Sequence, residues 1–165
     1  MRLSTSIPFP LTLGREFVGT IVRKGMMIRD SEFNSGDKVW GVIPFHQQGA
    51  HAEFVNVDKC LVSKKPKNIS DVEAATILYA GLTAFSGIFV SAPFDGYPAA
   101  LLGRSSGKGK RVLVLGASGG VGHLAVQILR AEGADVIATC SEDAKSLVEQ
   151  LGVTKIIDYN SNECS

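Results

Sequence analysis

The chain has 165 residues, 45% of them hydrophobic, and its 17 basic and 16 acidic side chains leave a formal net charge of +1. That size and apolar content suffice for one domain or two small ones, and with neither sign of charge gathered in a block there is no electrostatic basis for binding nucleic acid or an anionic membrane. No apolar stretch approaches the roughly 20 residues that cross a bilayer, so no transmembrane helix is expected, and Cys60, Cys140 and Cys164, scattered without a Cys-x-x-Cys pair, offer neither a disulfide framework nor a cysteine zinc knuckle and fit a reducing compartment.

The segment Met1 to Leu13 carries one positive charge and two prolines, shows no targeting signal, and reads as a chain whose natural beginning is missing. Up to about residue 60 short apolar runs alternate with turns rich in Gly, Asp and Asn. Strands are expected at Phe17 to Lys24, Lys38 to Pro44 and His51 to Val57, separated by the turn signals Asn34-Ser35-Gly36-Asp37 and Gln47-Gln48-Gly49. Together they predict a compact, barrel-like β module. Ser70, with Glu73 three positions later, caps a helix expected to run through Ala74, Ala75, Ile77 and Leu78. From Ser91 to Lys110 periodicity fades among glycine, proline and serine, as in an irregular connection.

Val112 to Leu115 is an apolar run suited to a strand packed on both faces, and it leads straight into Gly116-Ala-Ser-Gly-Gly-Val-Gly122. Glycines three apart, at Gly116, Gly119 and Gly122, let backbone approach a pyrophosphate, and the helix expected over His123 to Arg130 would turn its N–H groups and positive dipole end toward it. Alone the spacing is weak, since it is Gly-x-x-Gly-x-x-Gly and not Gly-x-Gly-x-x-Gly. A strand at Asp135 to Cys140, a helix at Asp143 to Leu151 and a strand at Lys155 to Asp158 complete a βαβαβ half-Rossmann unit and give the triplet its meaning. The fold class is therefore α/β, and Gly116, Ser118, Gly119, Gly120, Val121 and Gly122 are the expected cofactor contacts. A glycine turn in an unrelated α/β domain without a cofactor is the bland alternative.

Gly14-Arg15-Glu16-Phe17-Val18-Gly19, Ser35-Gly36-Asp37-Lys38-Val39-Trp40-Gly41, Gly49-Ala50-His51-Ala52-Glu53-Phe54, Ala80-Gly81-Leu82-Thr83-Ala84 and the Gly116 to Gly122 turn follow one another as they do in the medium-chain dehydrogenase/reductase superfamily. The chain resembles its quinone-oxidoreductase-like branch along essentially its whole length. The resemblance implies a partial GroES-like catalytic domain over 1–69, a helix and connecting segment over 70–110, and a truncated Rossmann NADP-binding half over 111–165. A partial sequence, matching only the middle of a bilobal enzyme, is the reading that follows. By the same likeness the full-length protein is mitochondrial, otherwise cytoplasmic, and a homo-oligomer or a reticulon-type protein partner comes into view.

Zinc-dependent members of the superfamily place a histidine ligand where this chain has Arg15 and a cysteine ligand where it has Tyr79. A guanidinium cannot be deprotonated to bind a metal and a phenol is a poor zinc ligand at neutral pH, so no metal is expected, and His46, His51 and His123 show no helpful spacing. The implied reaction is direct hydride transfer from NADPH to a quinone or another α,β-unsaturated carbonyl, with an enoyl-thioester reductase or an NADPH-holding scaffold as alternatives. Tyr79 and Thr83, four apart on one helical face, are the candidate hydroxyl donors to the acceptor, although either could merely pack or cap the helix. Arg15 could bind the acceptor or pair with Glu16 or Asp37. NAD enzymes end the second Rossmann strand with an acid at the ribose 2′-hydroxyl, and here that position is Cys140. Ser141 can donate to a 2′-phosphate, and Lys145 matches a basic position the family uses at the adenosine ribose, so NADPH is expected over NADH. Glu142 and Asp143 weigh against that preference if either turns inward, but as first-turn acids they suit the dipole of the next helix.

Overall fold

The computed structural model describes residues 9–92, 94 and 106–161, so most of the connection expected between Ser91 and Lys110 lies outside the described residues. The chain divides into two compact units, Met1–Tyr79 and Ala80–Ser165.

The first unit holds an antiparallel sheet of β1 (Glu16–Thr20), β2 (Lys38–Val42) and β3 (Val62–Lys64), in the order β1-β2-β3. Val18 faces Trp40, and Trp40 faces Ser63. Val39 and Ile43 are buried. Gly41 is required by close approach: a Cβ there would stand 2.7 Å from Phe17 Cζ and would fall onto the Leu61 carbonyl oxygen. The turn before β2 forms where its sequence signal places it. Gly36, at φ +90°, donates its N–H to the Ile21 carbonyl at 2.8 Å, and the Asn34 N–H donates to Asp37 Oδ2 at 2.9 Å.

The strand expected at His51 to Val57 does not form. The Ala50 and His51 N–H groups donate to the Gly14 and Leu13 carbonyls at 3.0 and 2.8 Å, and residues 53–57 join no ladder, leaving Phe54 74% exposed. Alternating apolar residues give a segment the two faces of a strand, but only a neighbouring strand satisfies its backbone. The third strand is instead Val62–Lys64, antiparallel to β2.

The Ser70 signal forms a full capping box on α1 (Asp71–Ala74): Ser70 Oγ accepts from the Glu73 N–H at 3.2 Å, and Glu73 Oε2 accepts from the Ser70 N–H at 2.7 Å. The helix does not continue through Ala75 and Ile77 as expected. Thr76 returns its hydroxyl to the Glu73 carbonyl at 2.9 Å and its N–H to the same oxygen at 3.1 Å, tightening the turn and ending α1 before α2 (Leu78–Ser86) begins.

In the second unit β4 (Arg111–Val114), β5 (Asp135–Cys140) and β6 (Lys155–Asp158) form a parallel sheet in the order β4-β5-β6. α3 (Gly120–Ala131) joins the first two strands, and a 3-10 turn (Glu142–Ala144) with α4 (Lys145–Gln150) joins the next two. Val126 and Leu129 of α3 and Val148 of α4 share one core with Val114, Val136, Ala138 and Cys140. Crossovers of one hand advancing in one direction put both helices on the same side of the sheet. β5 consequently alternates, with Val136, Ala138 and Cys140 buried and Ile137 and Thr139 half-buried. The two-sided burial expected of Val112 to Leu115 is corrected on the same ground: β4 is an edge strand covered on one face, and Leu113 and Leu115 are 54% and 72% exposed.

Leu129→Ala removes a 2% exposed side chain from the shared core and should lower stability by about 2–5 kcal/mol, read from denaturant unfolding. The Asp135 carboxyl is held below its usual value, first by the Thr154 hydroxyl and then by Arg111, whose Nε lies 2.7 Å from Oδ2. Its contribution is present above the ordinary carboxylate pKa of about 4 and is lost as pH falls through the lowered value. Denaturant midpoints between neutral and acid pH should thus fall less steeply for Asp135→Asn than for the parent.

Candidate functional site

β4 ends at Val114, and residues 115–119 turn the chain into α3. Gly116 has φ +65°, a left-handed conformation that an L side chain resists, and Gly119 donates its N–H to the Gly116 carbonyl at 3.0 Å. That carbonyl also bears the first turn of α3. A Cβ on Gly122 would fall onto Gly116 O and stand 2.9 Å from Ala117 Cα, so the helix can seat against the turn only where residue 122 has no side chain. Gly120 differs, since a Cβ there meets nothing within 4 Å, and on Gly119 it meets only Gly116 O at 3.4 Å. By helix geometry the N–H groups of Gly120, Val121 and Gly122 have no carbonyl one turn earlier within the helix, and the N-cap Gly119 supplies no side-chain oxygen. With Val121 43% exposed, a concentration of donors and positive dipole lies beside backbone that no Cβ covers. The opposite side of the turn is tied to β5: the Gly116 N–H donates to Thr139 Oγ1 at 3.0 Å and the Ala117 N–H to the Thr139 carbonyl at 2.9 Å.

β5 ends at Cys140, 1% exposed. Burial, then the nearby carboxylates Asp158, Glu142 and Asp143, push its thiol above the ordinary value, so the position carries no charge at neutral pH. Ser141 is the N-cap of the following 3-10 turn yet makes no side-chain cap bond. Glu142 and Asp143 are exposed in that turn, and Lys145 Nζ stands 3.5 Å from Glu142 Oε1. The turn from Gly116 to Gly122 and the run from Cys140 to Lys145 thus stand at the C-terminal ends of adjacent strands of one parallel sheet.

Arg15 Nη1 donates to the carbonyls of Pro44 and Gln47 at 2.8 and 2.9 Å. The expected alternative, pairing with Glu16 or Asp37, does not occur among the described residues: Glu16 Oε2 accepts from the Tyr79 N–H at 2.9 Å, and Asp37 binds the Asn34 N–H and Lys64. Tyr79 is the second residue of α2, half exposed, and Thr83 follows one turn later on the same helix, also exposed. Two residues that sequence reasoning passed over emerge here: Glu16 at the start of α2, and Thr139 on the turn. For Thr139 the signal was a single hydroxyl in an otherwise apolar strand end. For Glu16 the sequence offered none, because its partner lies 63 residues away.

Among the described residues no three His, Cys, Asp or Glu side chains gather where they could hold a metal ion. His123 Nδ1 lies 3.1 Å from Gln127 Nε2 on the same helix. The first unit contains a cavity of about 960 Å³ lined by Phe17, Ile21, Phe33, Phe54 and Val57 among others, and none of the expected site residues borders it.

No protein-family model matches the chain. It is 47% identical over 156 residues to the mitochondrial NAD(P)H oxidoreductase RTN4IP1 of Drosophila melanogaster, an alignment covering 94% of this chain and 37% of the relative. The solved quinone oxidoreductase from Coxiella burnetii shares 30% identity at a TM-score of 0.75, covering 94% of this chain and 45% of that one. A mycobacterial protein solved in complex with NADPH shares 26% identity at a TM-score of 0.74, with 92% and 43% of the two chains covered. The chain therefore spans less than half the length of each of these proteins.

The two kinds of glycine in the turn separate folding from binding. Gly122→Val should destabilise the chain by about 1–3 kcal/mol, because α3 must leave the Gly116 carbonyl. Gly120→Val, with open space around it, should stay within about 0.5 kcal/mol of the parent in denaturant unfolding while weakening dinucleotide binding at least about tenfold in a fluorescence titration.

Proposed function

The chain belongs to the quinone-oxidoreductase-like branch of the medium-chain dehydrogenase/reductase superfamily, and from that premise we propose a zinc-independent, NADPH-dependent oxidoreductase that reduces a quinone or another α,β-unsaturated carbonyl. The observation that carries the reading is the turn itself: Gly116 left-handed, Gly122 seated on its carbonyl, and no side chain at Gly119 or Gly120 in front of the α3 N–H groups. This cradle fits a dinucleotide pyrophosphate.

In this proposal Gly116, Ser118, Gly119, Gly120, Val121 and Gly122 hold the pyrophosphate through backbone donors and the α3 dipole. Cys140, a neutral thiol where NAD enzymes carry an acid, removes repulsion of a 2′-phosphate. Ser141, whose hydroxyl is not spent on capping, donates to that phosphate, and Lys145 supplies charge once it exchanges Glu142 for it. When bound, the nicotinamide supplies the hydride. The task left to the chain is to orient the acceptor and polarise its oxygen. We assign the hydroxyls of Tyr79 and Thr83 as donors to that oxygen, and Arg15 as a source of positive charge, since its Nη1 hydrogens are committed to Pro44 and Gln47. The mitochondrion is the proposed location, and a reticulon-type protein the proposed macromolecular partner.

Parallel fluorescence titrations with NADPH and NADH test the reading. NADPH should bind at least tenfold tighter, about 1.4 kcal/mol, and Lys145→Ala should erase most of that preference while leaving NADH affinity in place. A folded chain that binds neither nucleotide sinks the proposal, and in the full-length protein Tyr79→Phe should slow quinone reduction about 10²-fold or more if the phenol is the acid-side donor.

A further inference from the structure

Thr139 touches the turn twice. Its Oγ1 accepts the Gly116 N–H at 3.0 Å and its carbonyl accepts the Ala117 N–H at 2.9 Å, so one residue of β5 holds two consecutive amides of the turn. Gly116 is the left-handed residue on which the turn pivots, and its carbonyl is the surface against which Gly122 seats α3. Thr139 lies on the half-buried side of β5, opposite the core positions Val136, Ala138 and Cys140. Cys140 and Ser141 follow it directly in the chain. Because Thr is β-branched, χ1 has few wells in a strand, which keeps the hydroxyl aimed.

We propose that Thr139 is a positioning residue for the cofactor: its hydroxyl sets the Gly116 peptide, and with it the orientation of the phosphate-binding turn, before any nucleotide arrives. The proposal rests on the dinucleotide reading above and deepens it. The role has three consequences, and the second and third separate it from a purely structural one. The Gly116 amide is protected from solvent exchange in the nucleotide-free protein. Loss of the hydroxyl weakens NADPH and NADH by the same factor, because the pyrophosphate is common to both. Binding of 2′-AMP, which has no pyrophosphate, is untouched.

The experiment compares the full chain with Thr139→Val, which keeps the shape and removes the acceptor, and Thr139→Ser, which keeps the acceptor. Backbone amide exchange by NMR and titrations with NADPH, NADH and 2′-AMP are measured on all three. The expected result is fast exchange at Gly116 in Thr139→Val, a loss of about tenfold or more in both dinucleotide affinities at an unchanged NADPH:NADH ratio, unaltered 2′-AMP binding, and recovery in Thr139→Ser. Equal dinucleotide affinity in Thr139→Val and the parent overturns the positioning role and leaves the dinucleotide reading standing. No dinucleotide binding by the folded parent overturns both. Should Thr139→Val fail to fold, Thr139→Ala takes its place with the same expected and overturning results, and in either case rapid exchange at Gly116 in the nucleotide-free parent overturns the proposal.

Discussion

The contact between Gly122 and the Gly116 carbonyl is the constraint on which the second unit depends. It lets the N-terminus of α3 descend onto the turn after β4, and any side chain at residue 122 would lift the helix away. Once the helix is seated, Val126 and Leu129 reach the sheet and join Val148 of α4 over Val136, Ala138 and Cys140. The same close approach leaves the first N–H groups of α3 beside bare glycine backbone. Packing and the proposed phosphate contact thus share one cause, the absence of a Cβ at a few positions. Gly120, where a Cβ would meet nothing, takes no part in that packing.

At the end of β5 the balance is electrostatic. Glu142 and Asp143 stand in the turn leading into α4, where acids are favoured by the helix dipole but oppose an incoming phosphate. The carboxylates also help to keep Cys140 a neutral thiol, although burial does so first. Lys145 already lies beside Glu142, so the charge proposed to meet a 2′-phosphate is a shared one. The proposed preference for NADPH therefore depends on how readily that pair opens.

In the first unit Gly14-Arg15-Glu16 shows three neighbouring residues serving three distant backbone segments. Gly14, at φ +94°, accepts the Ala50 N–H on its carbonyl; Arg15 gathers the Pro44 and Gln47 carbonyls; Glu16 receives the first turn of α2 at Tyr79. These motif residues thus act as backbone ties in this unit, and the chemistry proposed for Arg15 must operate with Nη1 already engaged.

The strands at Asp135 to Cys140 and Lys155 to Asp158, the glycine turn and the Ser70 capping box were legible from the sequence because each depends on local physics: a hydrophobic period, a residue lacking Cβ, a side chain reaching its own helix end. Tertiary structure decided the rest. Whether His51 to Val57 becomes a strand depends on a partner, and the chain gave β2 to Val62–Lys64 instead. Whether Leu113 and Leu115 are buried depends on which face α3 and α4 choose, and both choose the other. The ties from Thr139 to Gly116 and from Glu16 to Tyr79 join residues 23 and 63 positions apart, a separation that no local pattern encodes and that only the folded backbone brings within hydrogen-bond reach.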